Sequence, residues 1–410
     1  MLFVGDDWAE DHHDLAVLDP EGRVLKQVRV PEGVDGITAF TETVAGCMPD
    51  DDGDPSEVLV CIEIDHGPWV QALQAAGYRV FGVDPKQAKR HRESVSSSGA
   101  KSDKSDARAL ADMVRTRRLQ LRESGGDSEL AESIKVVARA HQRAVWDLAR
   151  HSNRMRAVLR LYFPVVLTIA SELDVAFSSS VILGLLDKCA ARPVKARKLT
   201  GPQVKSLLYR RREQDLKTAR IRELLREEPL PQSEVMLQAY ATTVLAEVAI
   251  LRAIAGQVTV LEKELAGHFS QHPLAEIYLS QPGVGVTIGP RLLGEFGDLP
   301  DRYRSAKARR NAAGTSPITK QSGKSRVVHA RHFTNTWLLD AAIQQAGEAI
   351  RYDSHARAFY NKQRKRDVKH NAALRQLANK LIGILHGCLA RHELYNPSIA
   401  WSQAQTQPAA

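Results

Sequence analysis

The chain has 410 residues, more than one ordinary hydrophobic core accommodates, so we expect two or three packed units. Its four cysteines are far apart and form no CxxC pair, which argues against a disulfide framework and a zinc module and favours a reducing cytoplasm. Acidic residues begin at position six, so we expect no signal peptide, and we expect no apolar stretch long enough to span a bilayer.

Charge is distributed unevenly along the chain. Residues 1–66 carry 17 Asp and Glu against 3 Lys and Arg, whereas residues 67–410 carry 31 Asp and Glu against 54 Lys and Arg. A basic excess of this size is typical of proteins that bind a polyanion, and an acidic segment in such a protein commonly binds cations. Solubilising surfaces give the same charge balance, so only the spacing of particular residues can distinguish a binding surface from a solubilising one.

The first 120 residues have the pattern of an α/β domain. Short apolar runs at 2–8, 14–19 and 24–30, with an Asp-Pro-Glu-Gly turn between the last two, predict three hairpin-connected strands. The β-branched run at 57–64 predicts a central strand covered on both faces. Further helices and a strand alternate after it, and a meander followed by alternating helix and strand is the order of the ribonuclease-H-like fold.

Beyond residue 127 the pattern is helical, and we expect a helical linker over 126–273. The helix predicted at 129–161 carries four arginines on one face, a stripe that suits a phosphate backbone, although a solvated face is the alternative for each: Arg139, Arg143, Arg150 and Arg154.

Apolar residues spaced by seven over 233–270 predict a long coiled-coil helix. Such a helix pairs with another helix of the same chain or of a second subunit. We favour self-association as a homodimer or homotetramer, but packing within one monomer would give the same pattern.

A mainly helical C-terminal domain is predicted over 274–395, followed by a disordered tail at 396–410. Gly283 and Gly285 precede an apolar helix at 288–296, a composition similar to a helix-hairpin-helix, whose turn lets backbone N–H groups approach a phosphate. Residues 303–331 contain eight Lys and Arg and no Asp or Glu. They predict an exposed loop that presents Lys320, Lys324 and Arg326 to nucleic acid.

Four carboxylates of the N-terminal domain, residues 1–125, are candidates for a metal site: Asp7, Glu63, Asp103 and Asp106. Phosphodiester chemistry uses carboxylates that converge on two Mg²⁺ or Mn²⁺ ions about 3.5–4 Å apart. Glu63 is the most informative, since a carboxylate inside an apolar strand is costly unless it binds something. The others have an ordinary alternative as turn caps or helix N-terminal acids. Strand alternation lets only one of Asp6 and Asp7 face the site.

Three N-terminal segments resemble the DEDD-type insertion-sequence transposases, known as bridge-RNA-guided recombinases: GDDWAEDHHDLAVLD, VCIEIDHGPWVQALQAAGYRVFGVDP and SGAKSDKSDARALADMVR. Three C-terminal segments resemble the second domain of that family: YLSQPGVGVTIGPRLLGEFGD, RSAKARRNAAGTSPITKQSGKSR and NAALRQLANKLIGILHG. The resemblance covers roughly residues 1–120 and 274–395.

The resemblance implies a RuvC-like N-terminal domain in which Asp7, Glu63, Asp103 and Asp106 form the metal-binding tetrad. It selects Asp7 over Asp6, because the Trp-Ala pair that follows Asp7 stands at the same place in the family.

The resemblance also implies a serine in the C-terminal domain that attacks DNA and becomes covalently attached. Ser322 matches that residue best, with Ser316 and Ser325 as alternatives. A serine hydroxyl is a poor nucleophile unless it is activated, and metal ions supplied by the other domain are one means. Lys320 and Lys324 beside it are placed to stabilise phosphate charge.

By resemblance, the protein is expected to cut and rejoin donor and target DNA under the guidance of a bound structured RNA, in a bacterial cytoplasm and in association with the nucleoid. Two alternatives stay open. One is a RuvC-like metal-dependent nuclease that acts on branched DNA with water as nucleophile. The other is a non-catalytic protein that binds DNA or RNA. An actin-like sugar kinase is disfavoured because no phosphate-loop glycine motif accompanies Asp7.

Overall fold

The computed structural model describes residues 1–48, 53–63, 67–95, 102–125, 127–208, 213–228, 230–300, 302–322, 325–331 and 334–402. The chain divides into two compact units, Met1–Gly126 and Asp127–Ala410. Buried apolar residues form two clusters in each unit.

Unit 1 contains a six-stranded sheet. Its strands are β1 (Leu2–Trp8), β2 (His12–Leu18), β3 (Val24–Pro31), β4 (Val58–Ile62), β5 (Arg79–Gly82) and β6 (Arg122–Glu123). They lie in the order β3-β2-β1-β4-β5-β6, with β1 antiparallel to β2 and parallel to β4. β4 is parallel to β5, and β6 is antiparallel to β5. This is the arrangement of a ribonuclease-H-like sheet, so the predicted α/β class is confirmed.

Helices cover both faces of this sheet. They are α1 (Val34–Ala45), α2 (Pro68–Ala75), α3 (Pro85–Val95) and α4 (Asp103–Arg117). Side chains alternate along β1, so Leu2 and Val4 share a core with α1 and α2, whereas Phe3 shares a core with α4. The central strands β1 and β4 are therefore buried on both sides, as the apolar run predicted.

Unit 2 is mostly helical. Its helices are α5 (Glu129–Tyr162), α6 (Val165–Glu172), α7 (Ser180–Lys188), α8 (Pro193–Ala196), α9 (Gly201–Leu207), α10 (Gln214–Arg226), α11 (Glu234–Ser270), α12 (Ala275–Leu279), α13 (Ile288–Phe296), α14 (Ala306–Ala312), α15 (Thr336–Tyr352), α16 (Ser354–Arg364), α17 (His370–Arg391) and α18 (Pro397–Ser402). The strands β7 (Ile318–Ser322) and β8 (Ser325–His329) form an antiparallel hairpin.

The heptad-patterned helix α11 pairs with α5 of the same chain. Ile134 near the start of α5 shares a core with Phe269 near the end of α11, whereas Leu159 near the end of α5 shares a core with Val244 of α11. The two helices are therefore antiparallel, and α12 to α18 pack onto one end of the pair. The predicted boundary at residue 273 does not coincide with a break in packing, since α11 and α12 contribute to one core.

The membrane expectation needs a correction. α11 is long and apolar enough to cross a membrane by length and composition, with a mean hydropathy of 1.8 in its most apolar window. The helix carries exposed Val235, Met236, Ile250 and Val260 in addition to the buried apolar residues of its heptad seam, which is why it passes this test. One such helix is weak evidence for a membrane, because core helices of other proteins pass the same test.

Two expectations for the C-terminal part are also wrong. Residues 303–331 were expected to form a loop, but they contain α14 and the β7-β8 hairpin. The hairpin forms because residues 318–329 include β-branched residues around a central glycine. The predicted disordered tail begins with α18, in which Trp401 is buried in the core of unit 2. Residues 403–410 lie outside the described residues.

Candidate metal centre

Helix α4 lies directly against strand β1. A Cβ atom on Gly5 would overlap the backbone of Ala107 and Ala111, so the close approach requires a glycine at this position. Gly5 and Asp7 share a face of β1, because side chains alternate along a strand. Asp7 therefore projects beyond Gly5 on the side of the sheet that α4 covers.

The start of α4 brings two further acids to this edge. Ser102 caps the helix by accepting a hydrogen bond from the Ser105 N–H, and the Ser105 hydroxyl completes the capping box. Asp103 and Asp106 occupy the first turn that follows. Negative charge is favourable at a helix N-terminus, so the local structure tolerates these acids even without a ligand.

Asp7 has an unusually basic carboxylate. Two causes together raise the pKa of Asp7 to about 6. The larger is burial, and the other is repulsion from the nearby carboxylates of Asp106, Glu63, Asp103 and Asp14. The four candidate acids of the sequence analysis therefore lie close enough to interact. A group of acids in one half-buried place favours a bound cation, and carboxylate oxygens suit Mg²⁺ and Mn²⁺.

Glu63 lies in a different environment from the one expected. β4 ends at Ile62, and Glu63 is exposed just beyond it, so the argument from a buried strand carboxylate was wrong. The register of β1 and β4 aligns Asp6 with Ile62, and the residues that follow this pair are Asp7 and Glu63. Glu63 is therefore a candidate ligand because the parallel register brings it beside Asp7, and not because it is buried in a strand.

Arginines balance part of this negative charge. Arg92 donates a hydrogen bond to Asp106 at 2.6 Å, and Arg29 donates to Asp103 at 2.9 Å. Arg29 also donates to Asp14 at 2.7 and 3.1 Å. The positive charges of Arg92 and Arg29 therefore lie beside Asp106 and Asp103, two of the carboxylates predicted to bind a metal ion.

Two residues near the site were not among the candidates. Asp14 is the cross-strand partner of Asp7 in the β1-β2 hairpin, and it is buried. Ligand atoms of His12, Asp14 and Asp103 lie within 4.8 Å of one another, so among the described residues these side chains form a potential metal-binding group, to which Asp103 belongs but Asp7, Glu63 and Asp106 do not. Hairpin register was the signal that would have identified Asp14, since Asp7 and Asp14 are equidistant from the turn.

Asp6 lies on the opposite face of β1, where it is fully buried. Its carboxylate accepts a hydrogen bond from Trp69 Nε1 at 2.7 Å and lies 2.7 Å from His13 Nδ1. His13 Nε2 lies 2.6 Å from Glu32, and the His13 ring stacks on Trp69 with 3.7 Å between centroids. Burial raises the pKa of Asp6. Because these partners occupy Asp6, Asp7 is the better candidate ligand.

Unit 2 contains the three candidate serines. Ser322 is the last residue of β7 and pairs with Ser325 across the hairpin. The Ser316 hydroxyl donates a hydrogen bond to Asn379 Oδ1 at 3.3 Å. The backbone of Lys320 lies in β7 and that of Arg326 in β8, whereas Lys324 lies outside the described residues.

The four arginines predicted to form a stripe on α5 differ in their exposure and in their contacts. Arg139 forms an ion pair with Glu295 at 2.6 Å, so its charge is already compensated within the protein. Arg143 is exposed beside the ring of Trp337, and Arg150 is exposed although it forms an ion pair with Asp147. Arg154 is also exposed. The last three arginines thus remain accessible to a ligand in unit 2, and Arg139 is the weakest of the four candidates.

The two glycines of the predicted phosphate turn differ. Gly283 has φ of +75°, and a Cβ there would overlap the backbone of Gln345 and Ala349 in α15. The small size of Gly283 therefore serves packing within the protein, and its approach to a phosphate stays a prediction. A Cβ on Gly285 would meet nothing within 4 Å, so Gly285 alone lies in open space.

The sequence was compared with protein families and with known proteins, and both comparisons identify relatives. Residues 4–164 match the DEDD transposase family of IS110, and residues 275–361 match the family described as transposase IS116/IS110/IS902. A Streptomyces coelicolor protein named as a mini-circle transposase for IS117 is 34% identical, over 98% of this chain and 97% of its own length. The uncharacterized 42 kDa protein of insertion element IS900 from Mycobacterium paratuberculosis is 28% identical, over 96% of both chains.

The fold, the acidic cluster and these matches define a transposase of an insertion sequence. The chain belongs to the IS116/IS110/IS902 family of transposases. The uncharacterized 43.6 kDa protein of insertion element IS110 from Streptomyces coelicolor is a more distant relative, 26% identical over 96% of this chain and 95% of its own length.

Proposed function

We propose that this transposase cuts and rejoins DNA strands at a site where Asp7, Glu63, Asp103 and Asp106 hold Mg²⁺ or Mn²⁺, with two ions expected. The observation that carries the proposal is that three elements bring their acids to one edge of the sheet: the β1-β4 register aligns Glu63 with Asp7, and the first turn of α4 carries Asp103 and Asp106. Burial and these neighbouring acids raise the pKa of Asp7 to about 6, as expected for such a group. Hard carboxylate oxygens from β1, the end of β4 and α4 are the donor set that Mg²⁺ prefers.

When bound, the ions would supply Lewis-acid stabilisation of charge on the phosphate oxygens. The chain's own residues prepare the place for them. Gly5 lets α4 approach β1, and the α4 capping box fixes the turn that carries Asp103. In the metal-free protein, Arg29 and Arg92 form ion pairs with Asp103 and Asp106 and so neutralise part of their charge.

We propose Ser322 as the nucleophile. Its hydroxyl oxygen would form a bond to the phosphorus, one bond from phosphorus to a strand oxygen would break, and the leaving strand would take a proton as a free hydroxyl. The phosphodiester bond energy is kept in the serine ester, so a different strand hydroxyl can reverse the step and rejoin DNA. The place of Ser322 at the end of β7 and the family resemblance support this choice over Ser316, whose hydroxyl is engaged by Asn379.

We further propose that the basic surface of unit 2 binds donor and target DNA and a structured guide RNA. The candidates are the exposed arginines Arg143, Arg150 and Arg154, the basic residues Lys320, Lys324 and Arg326, and the glycines Gly283 and Gly285. The excess of basic residues after residue 66 supports a polyanionic partner. Such a protein would act in the cytoplasm, where the nucleoid provides its DNA.

Self-association through α11 is proposed as well. Its inner face is occupied by α5, but its outer face exposes Val235, Ile250 and Val260 at 79%, 40% and 63%. Apolar exposure along one face of a long helix is typical of helix pairing between subunits. A homodimer or homotetramer would bring two strand-breaking sites together.

Calorimetric titration of Mg²⁺ and Mn²⁺ into the protein tests the metal proposal. Wild-type protein should bind the ions, and Asp7→Asn should abolish most of the heat because it removes one ligand oxygen charge. Asp35→Asn is the matched control, since Asp35 is exposed in the first turn of α1. Equal titration curves for the wild type and the Asp7 variant would refute the metal site.

A metal-dependent nuclease is the second candidate, because all four carboxylates lie in unit 1 and hydrolysis by water needs no serine. It predicts Mg²⁺-dependent cleavage of branched DNA that Ser322→Ala leaves unchanged. A non-catalytic binding protein would instead bind DNA or RNA without cleavage at any metal concentration. Sequencing of RNA that co-purifies with the protein tests the guide separately.

A further inference from the structure

Helices α14 and α17 enclose a cationic pocket that the proposed chemistry does not use. The pocket has a volume of about 290 Å³ and lies between α14, α17 and the C-terminal segment that leads into α18. Its basic lining consists of Arg310 from α14 and Lys380 and Arg391 from α17. Glu393 is the acid in the lining, and it already forms an ion pair with Arg391 at 2.8 Å.

Among the described residues, no acid compensates the charges of Arg310 and Lys380. Within the described part of the chain, neither side chain forms an ion pair, and the buried Nε of Arg310 has no hydrogen-bond partner. Burial and the proximity of Arg310 lower the pKa of Lys380. Two cations held together without a counter-charge destabilise the free protein unless an anion joins them.

Gly383 shapes the pocket around Arg310. A Cβ on Gly383 would overlap the Arg310 guanidinium, so this group approaches α17 closely only because position 383 is a glycine. Lys380 is held from the other side, with its Nζ 5.6 Å from the centroid of the Trp401 ring. The two charged groups are therefore restrained in place before any ligand arrives, which reduces the entropy lost on binding.

From this geometry we infer that the pocket of Arg310, Lys380 and Arg391 binds a phosphate group. A guanidinium fork beside an ammonium matches the several acceptor oxygens of phosphate, and the net charge of the lining suits a dianion or a pair of phosphodiesters. The phosphate has two sources, a nucleic-acid strand or free inorganic phosphate. This inference concerns binding alone and does not depend on the carboxylates of unit 1.

Gly383→Ala is the sharpest test, because it displaces the Arg310 guanidinium without removing a charge. The obstructed group is the end of a flexible side chain, so it can move, and alanine is the better helix former, so we expect the variant to fold. Gly347→Ala in α15 is the matched control, since a Cβ there would meet nothing within 4 Å. Lys380→Gln removes one pocket charge, and Lys263→Gln removes one exposed charge from α11 as its control.

Each full-length variant is titrated with inorganic phosphate, a 25-base-pair DNA duplex and a single-stranded RNA of the same length. Gly383→Ala and Lys380→Gln should weaken binding of the true source by about tenfold, while both controls stay near wild type. For a nucleic acid, Lys380→Gln should also lower the slope of log affinity against log salt by about one. If only inorganic phosphate responds, the pocket holds the free anion.

The thermal unfolding temperature without ligand separates this role from a structural one. Lys380→Gln should unfold at the same temperature as the wild type or higher, because it relieves repulsion from Arg310. The inference is overturned if none of the three probes distinguishes Gly383→Ala and Lys380→Gln from their controls. It is also overturned if Lys380→Gln lowers the unfolding temperature without altering any affinity.

Discussion

Gly5 of β1 lies against the carbonyl oxygen of Ala107 in α4, with no room for a Cβ between the two backbones. The contact places the first turn of α4, with its two acids, beside the end of β1, where Asp7 stands. One small residue thus determines whether acids from separate elements reach the same place.

Gly5→Ala should lower the free energy of unfolding by about 3 kcal/mol, because the backbones would have to separate. It should also weaken Mg²⁺ binding, since Asp103 and Asp106 would move away from Asp7. Urea unfolding and metal titration check both effects. Gly46→Ala at the end of α1 is the control, because its Cβ would be in ordinary contact at 3.4 Å. Equal effects of the two substitutions would contradict this account.

Asp7→Asn should stabilise the metal-free protein while it abolishes metal binding. Its pKa of about 6 means that the neighbouring acids and burial disfavour the ionised form, so removing the charge relieves repulsion. After allowance for solvent screening at this half-buried position, we expect a gain of about 1 kcal/mol at pH 7.5. Thermal unfolding in chelator measures it. A lower unfolding temperature for Asp7→Asn would show that the acids do not repel one another.

The secondary structure of unit 1 follows from its periodicity. Alternation and turn residues indicate β1 to β3, and the apolar run at 57–64 indicates β4. The end of β4 was misplaced, since local sequence does not show where pairing with a neighbour stops. Glu63 was therefore assigned to a buried strand when it is exposed one residue beyond it. The candidate acid was found although the reason given for it was wrong.

Other features depend on contacts between distant segments. The sequence shows a glycine at position 5, but only packing shows that α4 passes over it. Similarly, charge counting suggested an exposed loop at 303–331, although Arg309 packs against the rings of Phe296 and Tyr303. An arginine can bury its stem and its guanidinium against aromatic rings, so a basic composition does not by itself imply exposure.

Ser322→Ala should abolish a covalent adduct between the protein and DNA. The measurement is denaturing electrophoresis of protein incubated with labelled DNA and Mg²⁺, with mass spectrometry of the modified peptide. Ser325→Ala is the matched control, because Ser325 is the hairpin partner of Ser322. We expect the adduct to persist in that control and in Ser316→Ala. An adduct that survives Ser322→Ala would assign the nucleophile elsewhere.

His141 should make unit 2 sensitive to acid. It is fully buried in α5, with Nδ1 3.1 Å from Arg291 of α13, and Glu262 of α11 lies 3.4 Å from its Nε2. Burial and then Arg291 lower the pKa of His141 below its ordinary value of 6.5. Protons therefore bind the unfolded chain more tightly, so this contribution to stability is complete above pH 6.5 and is lost as the pH falls below it.

His141→Gln should accordingly reduce the loss of unfolding free energy between pH 7.5 and 5.5, because the variant has no group at this position that gains a proton on unfolding. The measurement is urea unfolding across that range. His329→Gln, at an exposed position in β8, is the control and should retain the wild-type dependence. Identical pH profiles for wild type and His141→Gln would exclude His141 as the source of acid sensitivity.

Val260→Glu on the outer face of α11 should dissociate the proposed oligomer, because a charge would be buried between subunits. Sedimentation velocity should change from a dimer or tetramer to a monomer, with the unfolding temperature of the monomer preserved. Val136→Glu introduces the same charge at an exposed valine of α5 and should leave the mass unchanged. A wild-type protein that is monomeric at every concentration would refute self-association.

The frequency of recombinant junctions in a bacterial host tests the central claim most directly. Cells carry the insertion sequence on a plasmid, express one variant of the transposase, and are assayed by junction sequencing. We predict that Asp7→Asn reduces junctions by about a hundredfold or more, because a metal ligand is lost, whereas Asp35→Asn matches the wild type. Junctions formed at wild-type frequency by Asp7→Asn would contradict the assignment of Asp7 to the catalytic metal site.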